Sequence, residues 1–280
     1  MNTSNLPSTT WQCDNVGETA KIECQDSYGD KISKSKSKKV LRVVFQNING
    51  LRTTEETDKR QAIHEYINTY KIDVFALAEV NINWKIVEKK KSLSSLAKEW
   101  FEHGRAVTSH NMLHNTKAPH QQGGVAIITS GNTALQVAKS EQDPQYLGRW
   151  CSVKVRGKGG VIMRIVSVYV PIVTKSHGNK TVHAQQQAAL LKLKKTKSVI
   201  ATFWSDLWKE IDKWIENGEK LVITGDWNQD VQSQSLVKAF EGRNLFPVVT
   251  GGRHRGVSPE TYNNGSYPID ECFALSDLLI

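Results

Sequence analysis

Long apolar runs are missing from this sequence, and nowhere do its 280 residues approach the ~20 consecutive apolar positions that a membrane-spanning helix needs. The opening MNTSNLPSTTWQC lacks the basic segment and apolar core of a secretory leader. These two absences predict a soluble, unsecreted protein with no membrane partner. Cysteine is scarce as well: Cys13, Cys24, Cys151 and Cys272 lie far apart without CxxC spacing. That spacing fits reduced thiols better than a disulfide framework or a zinc site. No segment repeats at a fixed period. Acidic residues are outnumbered, 28 against 37 Lys+Arg, giving a formal charge of +9. A basic surplus suits a polyanion, although much of it can be solvated surface. What is abundant is core material. With 39% hydrophobic residues in a chain of this length, where about 75% of the unfolded surface is buried on folding, wholesale disorder is excluded.

Residues 1–39 carry no apolar period and end in Ser-Lys-Ser-Lys-Ser-Lys-Lys, whose like charges repel in any compact packing. They predict a disordered basic tail, solvated in preference to phosphate-bound. The texture changes at Val40, where a folded unit spanning 40–280 is expected to begin. Val40 to Phe45 and Ile72 to Ala78 are short, β-branched or apolar runs that read as buried strands. Further strands are expected at Gly124 to Thr129, Trp150 to Val155, Val161 to Val170, Leu221 to Thr224, Leu245 to Val249 and Ile269 to Ala274. Between the first two, Thr53 with Glu56 suggests a capping box, and Ile63, Tyr66, Ile67 and Tyr70 recur at helical spacing. One long helical region is expected from Val182 to Asn217, with an apolar stripe through Phe203, Trp204, Leu207, Trp208, Ile211 and Trp214. Gly218 would stop it. The lysine-rich run Lys192 to Lys197 reads as a solvated helix face or loop.

Several polar residues share one kind of position, the exit of an apolar strand: Asn47, Glu79, Tyr169, Asp226 with Asn228, and Asp270. Taken singly, Asp and Asn there are turn chemistry, and Tyr169 reads as a core aromatic. Taken together they differ, because strand ends of stacked sheets converge on one rim. Carboxylates and amides gathered there make a hard, oxygen-rich site suited to Mg²⁺ or Mn²⁺ and to phosphate chemistry.

Gln46-Asn47-Ile48-Asn49-Gly50, the Glu79 exit, Tyr169-Val170-Pro171, Gly225-Asp226-Trp227-Asn228 and Pro268-Ile269-Asp270 occur in this order. In that respect residues 40 to 280 resemble the endonuclease/exonuclease/phosphatase superfamily. More narrowly, Glu79 to Trp84, Gly123-Gly124-Val125-Ala126, Leu147-Gly148-Arg149-Trp150 and Tyr262 to Asp270 resemble the apurinic-type endonuclease domains of non-LTR retroelement polyproteins. The resemblance implies an α/β (α+β) fold, a four-layer α/β/β/α sandwich. It also implies Mg²⁺, with Mn²⁺ as the alternative, held by Glu79 and Asn47, and DNA as partner. Asp226 would orient or deprotonate the attacking water, Asn228 would hold a phosphate oxygen, and Tyr169 would offer its phenol to the scissile phosphate.

Asp270 matches an aspartate that orients a catalytic histidine carried, in the family, by a Ser-Asp-His motif on a later strand. No such motif follows here; Ser276-Asp277-Leu278 comes too soon. The expectation is a domain that lacks its last strand, with an uncovered sheet edge and doubtful activity, with a longer reverse-transcriptase polyprotein as its setting and a nuclear location if it acts on genomic DNA. The alternatives are a silent nucleic-acid-binding remnant and a phosphatase of the same superfamily. His254, Arg149, Trp150, Arg253 and Arg255 are candidates to face a duplex.

Overall fold

The computed structural model describes residues 32–279 except 54–56, 115–116, 174–179, 255–259 and 262–264. Its strands form two sheets. The first contains β1 (Val43–Asn47), β2 (Val74–Ala78), β3 (Arg105–Ser109) and β4 (Val125–Thr129), in the order β1-β2-β4-β3. The second contains β5 (Val137–Gln142), β6 (Trp150–Arg156), β7 (Ile162–Tyr169), β8 (Lys220–Asp226), β9 (Leu245–Pro247) and β10 (Asp270–Leu275), in the order β5-β6-β7-β8-β10-β9. Only β1–β2 and β7–β8 pair in parallel, and a helix lies between the strands of each such pair, as a parallel crossover requires.

Alternation along the strands builds the layers. Val74, Ala76 and Ala78 of β2 face inward onto Cys151, Val153 and Ile165 of the second sheet. Phe75 and Leu77 face outward, onto Ile63 and Ile67 of α1 (Asp58–Thr69) and Leu93 and Leu96 of α2 (Leu93–Trp100). On the far side, Val166, Val168, Leu221 and Ile223 turn outward against α5 (Val199–Glu216) and α6 (Gln234–Glu241). The four-layer α/β/β/α sandwich is therefore present, and its two sheets are stitched by the Ser167 hydroxyl, which donates to the Leu77 carbonyl at 3.0 Å.

The eight expected strands are all found, with shifted ends; β9 is three residues long because the chain turns at Val248. The strands β3 and β5 were not expected. Nor were α2, α3 (Gly131–Gln136) and α6. The helix after β1 is capped by Thr57, whose side chain accepts from the Arg60 amide, and not by Thr53, which is buried with its hydroxyl unpartnered. Glu56 lies outside the described residues. The long helical region is two helices, α4 (Val182–Lys192) and α5. Four lysines between 192 and 197 repel along a single helix, Lys194 takes φ +54, and Ser198 starts a new helix by accepting from the Ala201 amide. Gly218, at φ +71, does end α5.

Residues 1–31 lie outside the described residues. From residue 32 the chain runs against the first sheet, where Lys36 Nζ meets Asp73 Oδ2 at 2.5 Å. Cys151 and Cys272 are free thiols. No helix among the described residues is long and apolar enough to cross a membrane. In its sheet β1 has one neighbour, β2, and Ser276–Leu278 forms a single turn after β10.

Candidate active site

Side-chain parity carries the expected polar residues to one rim. Val43 and Phe45 point between the sheets, and two residues on Asn47 has the same direction. Tyr169 closes the inward set of β7. Asp226 stands opposite Tyr169 in the parallel β7–β8 register and opposite Asp270 in the antiparallel β8–β10 register, so three neighbouring strands present Tyr169, Asp226 and Asp270 side by side. Gly225 permits this: a Cβ there would lie 2.9 Å from Val168 Cβ and 3.0 Å from its carbonyl oxygen. Glu79 leaves β2 with φ +50, and Asn49, Asn81 and Asn228 also take positive φ at the same rim. Such conformations cost free energy for residues with a side chain and gather where geometry serves function.

Hydrogen bonds join the two sheets' contributions. Asn47 Nδ2 donates to Asp226 Oδ2 at 2.8 Å, while Asn47 Oδ1 accepts from the Asn49 amide at 3.0 Å. The Asn228 amide donates to Asp226 Oδ1 at 3.1 Å, and Asn228 Nδ2 donates to the Val170 carbonyl at 2.6 Å. Tyr169 is 5% exposed. Burial, then the negative charges of Glu79 and Asp226, hold its phenol above the ordinary tyrosine value, so it stays a neutral donor, and it is hydrogen-bonded to Glu79.

Burial also pushes Asp226 up to about 7, with Asp270 adding repulsion and the Asn47 bond opposing. Asp270 is pushed up to about 6, again first by burial, although a hydrogen bond to Thr261 opposes it. Its Oδ1 is buried without a hydrogen-bond partner.

This is an anionic rim short of positive charge. Among the described residues no three His, Cys, Asp or Glu side chains could enclose a metal ion by themselves. Mg²⁺, however, is commonly held by one or two carboxylates and completed by water and phosphate oxygens. Glu79, the Asn47 amide and the unpartnered Asp270 oxygen fit that half-built kind of site.

The profile of the Endonuclease/Exonuclease/phosphatase family matches residues 44–273, which reaches into both sheets and contains every polar rim residue just described. The chain belongs to this family. Among solved structures, it is similar to the 3' phosphatase NExo from Neisseria bound to a product DNA hairpin, at 14% identity and TM-score 0.55, covering 86% of this chain and 88% of that one. It is similar to the human Nocturnin catalytic domain at 16% identity and TM-score 0.52, covering 84% and 82%. An AP endonuclease from Archaeoglobus fulgidus matches at 14% identity and TM-score 0.50, covering 86% and 88%. These likenesses show the fold. Among curated proteins none matches by sequence.

Beside the family rim runs a groove of about 250 Å³ whose lining includes Glu79, Tyr169, Asn81, His120, Gln122 and Thr181. The last four were not singled out from sequence. Asn81 had a signal in its place two residues after Glu79. It locks the groove wall, for its Oδ1 accepts from the Gly123 amide at 2.7 Å and its amide donates to the Gly123 carbonyl at 2.9 Å. His120 had none: it is an exposed loop histidine that the fold brings to the groove. His254 caps the turn after β9 and is not among the groove's lining residues.

Arg149 and Trp150 do not face a duplex. Arg149 is 1% exposed and paired with Asp143 (2.7 Å) and Asp206 (2.9 Å), and Trp150 packs edge-on against Phe203 in the core. A charged side chain buried this deeply needs partners, and here it has them. The Arg253 side chain, Arg255 and Tyr262 lie outside the described residues.

Proposed function

We propose that this family member is a Mg²⁺-dependent phosphodiesterase acting on DNA, related to retroelement endonucleases and slow in turnover. The observation that carries the reading is the row Tyr169–Asp226–Asp270 on three adjacent strands, joined to the first sheet through Asn47. The metal, when bound by Glu79 and Asn47, would offset negative charge on the phosphate and the leaving oxygen. Asp226, at about 7, has the proton affinity that suits a base taking a proton from water near neutral pH. Asn47 fixes Asp226 Oδ2 and the Asn228 amide fixes Oδ1, so the carboxylate is held still. Tyr169 keeps its proton, now given to Glu79, and would donate it to a phosphate oxygen once Glu79 turns to the metal. Asn228 Nδ2 gives one N–H to the Val170 carbonyl and is also hydrogen-bonded to Tyr169, so it would offer a phosphate oxygen the donor now turned to Tyr169.

The slow turnover is argued from Asp270. In the reading given by the sequence this aspartate orients an imidazole, and among the described residues no histidine is bonded to it; Thr261 Oγ1 accepts from its main-chain amide, and its Oδ1 has no partner. Loss of one positioned acid-base group costs about 10² to 10⁴ in rate. The retroelement kinship and DNA as substrate are supported by the ordered motifs and by the basic surplus.

Supercoiled-plasmid nicking tests the proposal. Weak nicking with Mg²⁺, abolished by EDTA and by Glu79→Ala, is the expected result. A folded sample that binds duplex DNA but never nicks it would instead mark a silent remnant, and release of phosphate from soluble monoesters would mark a phosphatase.

A further inference from the structure

The link between α4 and α5 folds into a second concavity, of about 290 Å³, lined by Lys194, Lys195, Thr196 and Lys197 on one side and by Ser205 and Asp206 on the other. As sequence this lysine run reads as a solvated helix face or loop. The fold gathers them, because Lys194 at φ +54 reverses the chain and Ser198 sends it off again as α5. The single lining carboxylate is already shared: Asp206 lies 2.9 Å from Arg149 Nη2 and 3.7 Å from Lys195 Nζ. Among the described residues no acidic side chain is paired with Lys192, Lys194 or Lys197. The 18-residue helix α5 also opens here, adding its positive end to the ammonium groups and hydroxyls. A pocket with cations in excess, hydroxyl donors and one neutralised carboxylate is chemistry for a phosphate group.

Its position gives it meaning. Val182, the first residue of α4, lines the groove beside Glu79, and Lys192 is the last; eleven residues at ~1.5 Å each put the two ends about 16 Å apart. Near Lys192, His114 is held below the ordinary histidine value by burial and then by Lys85 and Lys192. At ~3.4 Å per base pair, about 16 Å is roughly five base pairs of duplex.

We propose that the 194–197 concavity is an accessory phosphate site that takes the DNA backbone about five base pairs from the bond addressed at the Glu79 rim. It rests on the reading of DNA as substrate. The test is equilibrium binding of the full chain to a duplex of ~30 base pairs across a salt series. The variant is Lys194→Asn with Lys197→Gln; asparagine accepts the left-handed backbone. Its log K against log salt should be shallower than wild type by about 1.8, at about 0.9 per phosphate contact, and its Kd should rise about tenfold at fixed salt. The matched control is Lys89→Gln with Lys90→Gln, in the exposed turn Lys89–Lys91. An unchanged slope, or an equal change in the control, overturns the accessory site while wild-type binding keeps the DNA reading alive. Wild type that fails to bind duplex at any salt sinks both. A loss seen with single-stranded RNA alone assigns the concavity to another polymer and also overturns it.

Discussion

At Asp226 one residue's titration governs stability and, on the proposed function, the chemistry as well. An aspartate is ionised above about pH 4 in the unfolded chain, whereas this one keeps its proton to about 7 in the fold. Between those values the native state holds more protons than the unfolded one, so stability falls as pH rises through the window and levels above it. Asp226→Asn removes the effect. The variant should gain thermal stability over metal-free wild type progressively from pH 4 to 7, on the order of 4 kcal/mol at the plateau, while losing nicking activity. Thermal melts at several pH values decide it; a pH-independent difference would be wrong for a buried carboxylate at this site. Burial follows from neighbours that only folding supplies, so no part of this shift is visible in Gly-Asp-Trp-Asn. What was legible is the residue type at a strand exit, since Asn47, Glu79, Tyr169, Asp226 and Asp270 all do converge. His120 and Thr181 were not legible, because loops deliver them and loops carry no period.

At the scale of elements, hydrophobic pattern found the strands whose two faces are both covered and missed those with a mostly polar face. β2 reads Val-Phe-Ala-Leu-Ala and is buried throughout, while β5 reads Val-Ala-Lys-Ser-Glu-Gln and is largely exposed. The lysine-rich link between α4 and α5 escaped for a different reason. Helix propensity favours lysine, and only the like charges together with the Ser198 cap argue for a break. One interaction at this scale is set away from the candidate site. Arg164 of β7, 3% exposed, donates to Glu219 at 2.5 Å, to Ser152 of β6 at 2.8 Å and to Glu141 of β5, and its guanidinium covers the Trp214 ring of α5 at 4.7 Å. It therefore ties β5, β6 and β7 to the start of β8. Arg164→Ala leaves the buried Glu219 short of a partner and should cost about 3 kcal/mol. Chemical denaturation would show the loss, and Glu79→Ala, at the rim, should not share it.

Over the whole molecule, the two sheets are contiguous in sequence: β1 to β4 make one and β5 to β10 the other, with Ser130 and Gly131 at the join. The candidate site is divided along the same line. Asn47 and Glu79 belong to the first half, and Tyr169, Asp226, Asn228 and Asp270 to the second. Their hydrogen bond, Asn47 to Asp226, joins positions 179 apart in the chain. Non-local closure of that kind is slow and comes with docking of the sheets. A chain cut between residues 130 and 131 would accordingly yield two pieces, each with a whole sheet and neither with a whole site. Expressed together, they should reassemble through the apolar face shared by β2, β4, β6 and β7, and any nicking they show should require both. The protein is in this sense a two-part lock, and fused to two other proteins its halves would report when those proteins meet.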